Sequence, residues 1–337
     1  MKQGLFIALL FLSLVHHGSA QDEADFSPIS TDVPQTATGI NVSPSCEGSD
    51  KVPNTMFTIE PSDSDMISVT TNPADLVVVS ISSGGDMLEF SFNPAVAGNA
   101  DKGGIIVKFP ADKLNQVQVE ASNRAQVLDG FTNLMSLTAE SSSFLQVSAT
   151  NLNADLESIS VTLKSSATCT MKSNLPMSGL DLSSSGSLTV EADLIGNGNR
   201  IESSAILKMK GNIDGQVNMR ASGTATIDGS ILPGSEVEVT SSSELSVGDI
   251  AGNVKAVSSG TVMASGCVNV QTESSGECRE GQVGTVTVEV EPLSLTQQGS
   301  FRCTMSSAYS RHLGLSGIVT SLILTSAVLT DIFDVLN

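Results

Sequence analysis

Apolar and polar positions alternate on both sides of a Ser-containing small-residue pair that recurs nine times between residues 117 and 278. Aligned on one Ser of each pair, the reference residues are Ser122, Ser142, Ser166, Ser185, Ser204, Ser222, Ser242, Ser259 and Ser275, at steps of 16 to 24 residues with a mean of about 19. Five and three positions before the reference stand Val117 and Val119, Leu137 and Ala139, Val161 and Leu163, Leu180 and Leu182, Val217 and Met219, Val237 and Val239. Three and five positions after it stand Ala125 and Val127, Leu145 and Val147, Cys169 and Met171, Leu188 and Val190, Leu207 and Met209, Ala225 and Ile227, Leu245 and Val247. A spacing of two is strand periodicity, so each unit reads as two short strands around a tight bend, each with one face turned inward.

A unit of about 19 residues is too short for the helix-containing repeats of 33 or 34 residues, and it is one supersecondary unit that cannot bury its inward face alone. The predicted fold is all-β, a right-handed parallel β-helix (solenoid) of roughly 19-residue coils. Stacked about 4.8 Å apart, nine such coils make a rod roughly 40 Å long. The Ser column reads as what a tight bend admits, with a hydroxyl binding strip as the rival. Asp129, Asp193, Asp214, Asp228 and Asp249 follow the second strand of their coils. They read as turn formers beside Gly, with a cation-binding row as the rival and no calcium-loop motif to support it.

Around the repeats, residues 21–55 are rich in Pro, Ser, Thr and acidic types and read as a flexible leader carrying the glycosylation sequon at Asn41. Residues 56–115 hold five strand-like runs, MFTIE, MISVT, LVVVSIS, MLEFSF and GIIVKF, predicted as leading strands or an N-terminal cap. The repeats occupy 116–280. Residues 281–308, opening on VGTVTVEVE, read as a stalk, and 309–337 as a C-terminal apolar tail.

The run IIVKFPADKLNQVQVEASNRAQV (105–127), with LDLSSSGSLTVEADL, VNMRASGTATIDGS and VKAVSSGTVMASG after it, resembles the head GIN domain family of auto-transporter adhesins. The resemblance covers about residues 56–278. It implies a secreted or surface-attached β-helical protein and brings no catalytic residues to transfer.

The chain ends point to the same address. Residues 1–20 carry Lys2, an apolar core from Leu5 to Val15 and a small-residue end at Gly18, Ser19 and Ala20, the pattern of a cleavable secretory signal. The last apolar run, Leu313 to Leu329, falls slightly short of the roughly 20 residues of a spanning helix. Ser306, Ser307 and Ala308 precede it with a brief polar spacer, the pattern of lipid-anchor attachment at Ser306 or Ser307. A single span lacks following basic residues; it and a docked amphipathic helix are the alternatives.

The formal net charge of −20 repels phosphate backbones and argues against nucleic-acid partners. Five cysteines enter a disulfide-permissive compartment. Cys169 shares a column with Leu145 and Leu188 and reads as a buried hydrophobe. Cys267 and Cys278 bracket the final coil and are predicted to staple it, leaving Cys46 and Cys303 as the remaining pair. The three histidines, His16, His17 and His312, lie outside the repeats, which removes His-based nucleophile activation and the common zinc sites. No catalytic, cofactor or metal site is expected. The predicted function is a non-enzymatic, secreted, cell-surface-anchored β-helix with an adhesive or structural role, an extracellular or cell-wall partner and a membrane link through its C-terminal anchor. The alternatives are a polysaccharide-active β-helix enzyme and a cation- or mineral-binding wall protein.

Overall fold

A computed structural model describes residues 26–45, 54–97, 102–291 and 293, and its elements are strands apart from one short helix. The chain begins with Ser27–Pro28 (β1), Gly39–Ser45 (β2), Asn54–Ser62 (β3), Ser68–Asn72 (β4), Val77–Ile81 (β5), Met87–Phe92 (β6), Pro94–Ala97 (α1) and Lys102–Pro110 (β7). Paired strands follow: Gln116–Val119 (β8) with Arg124–Val127 (β9), Ser136–Ala139 (β10) with Phe144–Ala149 (β11), and Ile159–Leu163 (β12) with Thr168–Ser173 (β13). Next come Met177–Leu182 (β14) with Ser187–Glu191 (β15), Leu194–Glu202 (β16) with Ile206–Lys210 (β17), and Ile213–Arg220 (β18) with Thr224–Ile231 (β19). The last are Glu236–Thr240 (β20) with Glu244–Ile250 (β21), Asn253–Val257 (β22) with Thr261–Ala264 (β23), and Val270–Glu273 (β24) with Glu277–Glu280 (β25).

From β8 onward each strand pairs in parallel with the second strand after it, which joins the strands into two columns of one 25-stranded sheet. In the first column Leu137 lies between Val117 and Val161, and in the second Leu188 lies between Cys169 and Leu207. These residues are at most 1% exposed. Fully burying a Val or Leu contributes roughly 1.5–3 kcal/mol, and here each buried side chain is covered by the coils on either side rather than by its own.

The two columns meet at the small-residue pairs, where the backbone is left-handed. Ser203 and Ser204 have φ of 55° and 65°, Ser184 and Ser185 have 51° and 70°, and the other bends repeat these values except the last, where only Ser274 is at positive φ. Each bend closes with a hydrogen bond across four residues, as from Ala205 N to Glu202 O at 3.1 Å and Gly186 N to Ser183 O at 3.0 Å. Positive φ at both central positions is the type I′ turn, normally filled by Gly, Asn or Asp. A side chain there costs roughly 1–2 kcal/mol per residue. That cost is offset by a backbone ladder running through the bends: Ser142 N donates to Ser165 O at 2.9 Å, Ser166 N to Ser184 O at 3.0 Å and Ser185 N to Ser203 O at 3.1 Å. Where Gly follows the pair it lies so close to the neighbouring coil that a Cβ on Gly260 would stand 2.1 Å from Val239 O.

A third inward column, absent from the two-strand reading, closes the coils. It stacks Met177 on Leu194, Leu194 on Ile213, Ile213 on Ile231 and Ile231 on Ile250.

The N-terminal region departs from the expected leader and cap. β2 is not part of a leader: it pairs in parallel with both β6 and β8, Ile40 stacks on Val117, and Ile40 and Val42 are fully buried. Likewise β3 pairs with β7 and β9. The stack therefore runs β6–β7, β2–β3, β8–β9 and onward, so β2 and β3 form its second coil although they precede β6 and β7 in the chain, and each column has eleven parallel strands. Residues 39–45 escaped a strand reading because their apolar content is only Ile40 and Val42 among Pro and Ser, too little pattern until long-range pairing supplies the rest. Within 56–115 only β4 and β5 act as a cap, pairing antiparallel with β7 and β6, and β1 pairs antiparallel with β4. This covers edges that would otherwise template association. Phe57, Phe109 and Phe131 are the largest fully buried side chains here, and Phe57 meets Phe90 edge-on at 5.1 Å between centroids.

Ser204→Gly, which removes the Cβ from a left-handed position, is expected to hold or raise the urea midpoint, whereas Ser204→Val, β-branched at positive φ, lowers stability by about 1–2 kcal/mol. Equal midpoints for the two variants would show that the bend conformation carries no cost.

Candidate functional site

Strand alternation sends every second side chain outward, and on the first column of the last four coils these are polar. Asn218 stands between buried Val217 and Met219, Glu238 between Val237 and Val239, and Lys255 between Val254 and Ala256. With Gln216, Glu236, Asn253 and Gln271 they line an open trough of about 430 Å³ across β18, β20, β22 and β24. Three inter-coil steps of about 4.8 Å make it some 14 Å long. Gln216 Nε2 donates to Glu236 Oε2 at 3.3 Å, Glu238 lies 3.9 Å from Arg220, and Lys255 lies 3.0 Å from Glu273. The side-chain amides of Asn218, Asn253 and Gln271 have no partner among the described residues, which leaves donors and acceptors facing solvent.

The outer face of the second column is partly covered. After β25 the chain turns back, and the described part of the expected stalk, residues 281–291 and 293, runs along the stack as an extended strap. Val286 N donates to Asp228 Oδ2 on β19 at 3.1 Å, and Leu293 N donates to Gln126 Oε1 on β9 at 3.1 Å. Seven residues at about 3.4 Å each span five inter-coil steps at about 4.8 Å, so the strap crosses the strands nearly fully extended. Val286 and Val288 are 6% and 5% exposed, while Thr285, Thr287 and Glu289 face solvent. The alternation that reads as a strand is real; its partner is a sheet face, not a sheet edge.

Beside the strap, Lys172, Glu191, Lys210 and Asp228 occupy one register position on successive coils, giving charges of alternating sign. Glu191 lies 2.7 Å from Lys210 and 3.9 Å from Lys172. The hydrogen bond from Lys210 holds the Glu191 carboxyl below its ordinary pKa, and the same bond raises that of Lys210.

Cys267 and Cys278 are joined, with Cα atoms 6.1 Å apart, and fasten the last coil. Closing so short a loop restricts the unfolded chain by about 3 kcal/mol in the chain-entropy account. Cys169 is free and fully buried between Leu145 and Leu188, and burial pushes its thiol pKa up to about 12. Asn41 sits on β2 at an outward register position, half-buried, with its Oδ1 covered and unpartnered. Cys46, Cys303, Ser306 and Ser307 lie outside the described residues, as do both chain ends.

The Asp row does not converge. Asp129 accepts from Thr150 N at 2.8 Å and from Asn151 Nδ2 at 2.7 Å, Asp193 from Asn212 N at 2.6 Å, and Asp249 from Ser265 Oγ at 2.6 Å. These carboxylates tie each coil to the next. Among the described residues no group of three or more His, Cys, Asp or Glu side chains is placed to hold a metal ion, and no helix is long and apolar enough to cross a membrane. The trough residues were missed because they belong to the polar half of the alternation, which reads as solvated surface; the only available signal was amides on two outward rows, Asn218 and Gln271 on one and Gln216 and Asn253 on the other. The chain matches no protein-family model and no curated protein.

Val288→Asp places a carboxylate under the strap and is expected to open residues 281–293 to limited proteolysis while β8–β25 stay resistant. Cutting at the wild-type rate would put Val288 outside the contact. Cys169 is expected to react with a maleimide only after unfolding, and prompt labelling of the native protein would remove it from the column.

Proposed function

We propose that this chain is a non-enzymatic, secreted right-handed parallel β-helix, held at the cell surface and serving an adhesive or structural role, in keeping with its resemblance to the head GIN domain family. The observation that carries the reading is the trough, an open polar strip of three unpartnered amides and two carboxylates across four coils of a long stack. A rigid stack presents such groups at fixed spacing, which suits recognition of an extended extracellular or cell-wall partner. The parallel columns support the β-helix, and right-handed crossover is the rule for parallel strands joined within one sheet. The Cys267–Cys278 bond is in keeping with an oxidising compartment. In this reading residues 1–20 are removed on secretion, Asn41 carries a glycan, Cys46 pairs with Cys303, and the tail is exchanged for a lipid anchor at Ser306 or Ser307.

Two measurements test it on cells making the full chain. Phosphatidylinositol-specific phospholipase should release the protein, and the surface form should lack peptides after about Ala308; an intact TDIFDVLN terminus would refute the lipid anchor. Attachment of these cells to extracellular matrix or to one another should fall when Asn218, Asn253 and Gln271 are all changed to Ala, with surface amount and melting temperature unchanged. Undiminished attachment would place adhesion elsewhere.

A further inference from the structure

We infer that the trough over β18, β20, β22 and β24 binds an extended peptide segment of neutral to basic character, laid across the coils. The inference deepens the adhesive reading by naming the class of partner, and it rests on that reading only in assigning the outer face a partner.

The molecule itself supplies the precedent. On the second column an extended segment crosses the strands and is held by outward side-chain oxygens, Asp228 Oδ2 and Gln126 Oε1, that accept backbone N–H groups. The trough offers the same kind of acceptor on the first column, and nothing of the described chain occupies it. Glu236, Glu238 and the amide oxygens of Asn218 and Asn253 project from three consecutive coils, and the amide N–H groups can donate in return to peptide carbonyls. A length of some 14 Å accommodates about four residues of extended chain at about 3.4 Å each.

Charge selects among peptides. Lys255 is held by Glu273 at 3.0 Å and Glu238 pairs with Arg220 at 3.9 Å, whereas Glu236 has only the uncharged Gln216 and Asn253 on the strands beside it. The trough therefore presents negative charge on a chain of net charge −20 and disfavours an acidic segment, a second copy's strap with Glu289 and Glu291 included. Chemistry also favours peptide over glycan, because no aromatic ring lines the trough to stack on a sugar.

The test uses the purified protein and the probe acetyl-Thr-Val-Lys-Val-Thr-Val-Lys-Val-amide. Its arms are the same peptide with Glu for Lys, the same peptide N-methylated at alternate residues, and cellohexaose. The Lys peptide should bind, the Glu and N-methylated peptides at least tenfold more weakly, and cellohexaose not measurably. Asn218→Ala with Asn253→Ala should weaken the Lys peptide at least tenfold at an unchanged melting temperature, and Glu236→Gln with Glu238→Gln should narrow the gap between Lys and Glu peptides. Binding of cellohexaose in place of the peptide, equal binding of the N-methylated peptide, or no binding by the folded protein would each overturn the inference. Cell attachment that survives Asn218→Ala with Asn253→Ala, while peptide binding is lost, would overturn adhesion through the trough and leave the peptide site standing.

Discussion

Everything in this molecule depends on a two-residue bend that L-amino acids with side chains resist. Each repeat must turn its chain from the first column to the second within the thickness of one coil, and in every bend but the last the conformation that does so places both central residues at positive φ. Isolated, such a turn filled by Ser and Ser would be disfavoured. Stacked, the bend residues hydrogen-bond to the bends above and below, so the ladder continues around the corner instead of breaking there. The bend and the stack are thus stable only together. The bend side chains themselves point to solvent, so the constraint on them is the left-handed backbone, whereas the residue that follows packs against the neighbouring coil, where a Cβ at Gly260 would come 2.1 Å from Val239 O.

A second consequence is that coils are interchangeable in space though not in sequence. Nothing in parallel pairing requires neighbours in the stack to be neighbours in the chain, and β2–β3 lies between β6–β7 and β8–β9. The two ends are finished differently. Antiparallel β4 and β5 cover the N-terminal edge, while at the other end the Cys267–Cys278 bond fastens the last coil and the chain doubles back as the strap. Parallel stacking leaves the outer sheet faces as broad surfaces of outward side chains. One of these is partly covered by the chain's own Val286 and Val288, and the other is left polar and open. That asymmetry is what the functional proposal uses.

The sequence alone determined the repeat length, the inward positions from Val117 to Val247, the column shared by Leu145, Cys169 and Leu188, and the pairing of Cys267 with Cys278. Each follows from local periodicity or from proximity along the chain, and a repeated two-strand unit states its own register many times over. Only the tertiary structure decided the rest. The left-handed bends are invisible in letters, since Ser-Ser is compatible with many conformations and only the stack selects this one. The placement of Gly39–Ser45 inside the stack, the Met177 to Ile250 column, and the return of residues 281–293 over the second column all depend on pairings between distant segments. The trough is the clearest case. Asn218, Glu238 and Lys255 are ordinary polar positions in a strand pattern, and they become a site only because coils 17 to 20 residues apart in sequence are brought to about 4.8 Å in space.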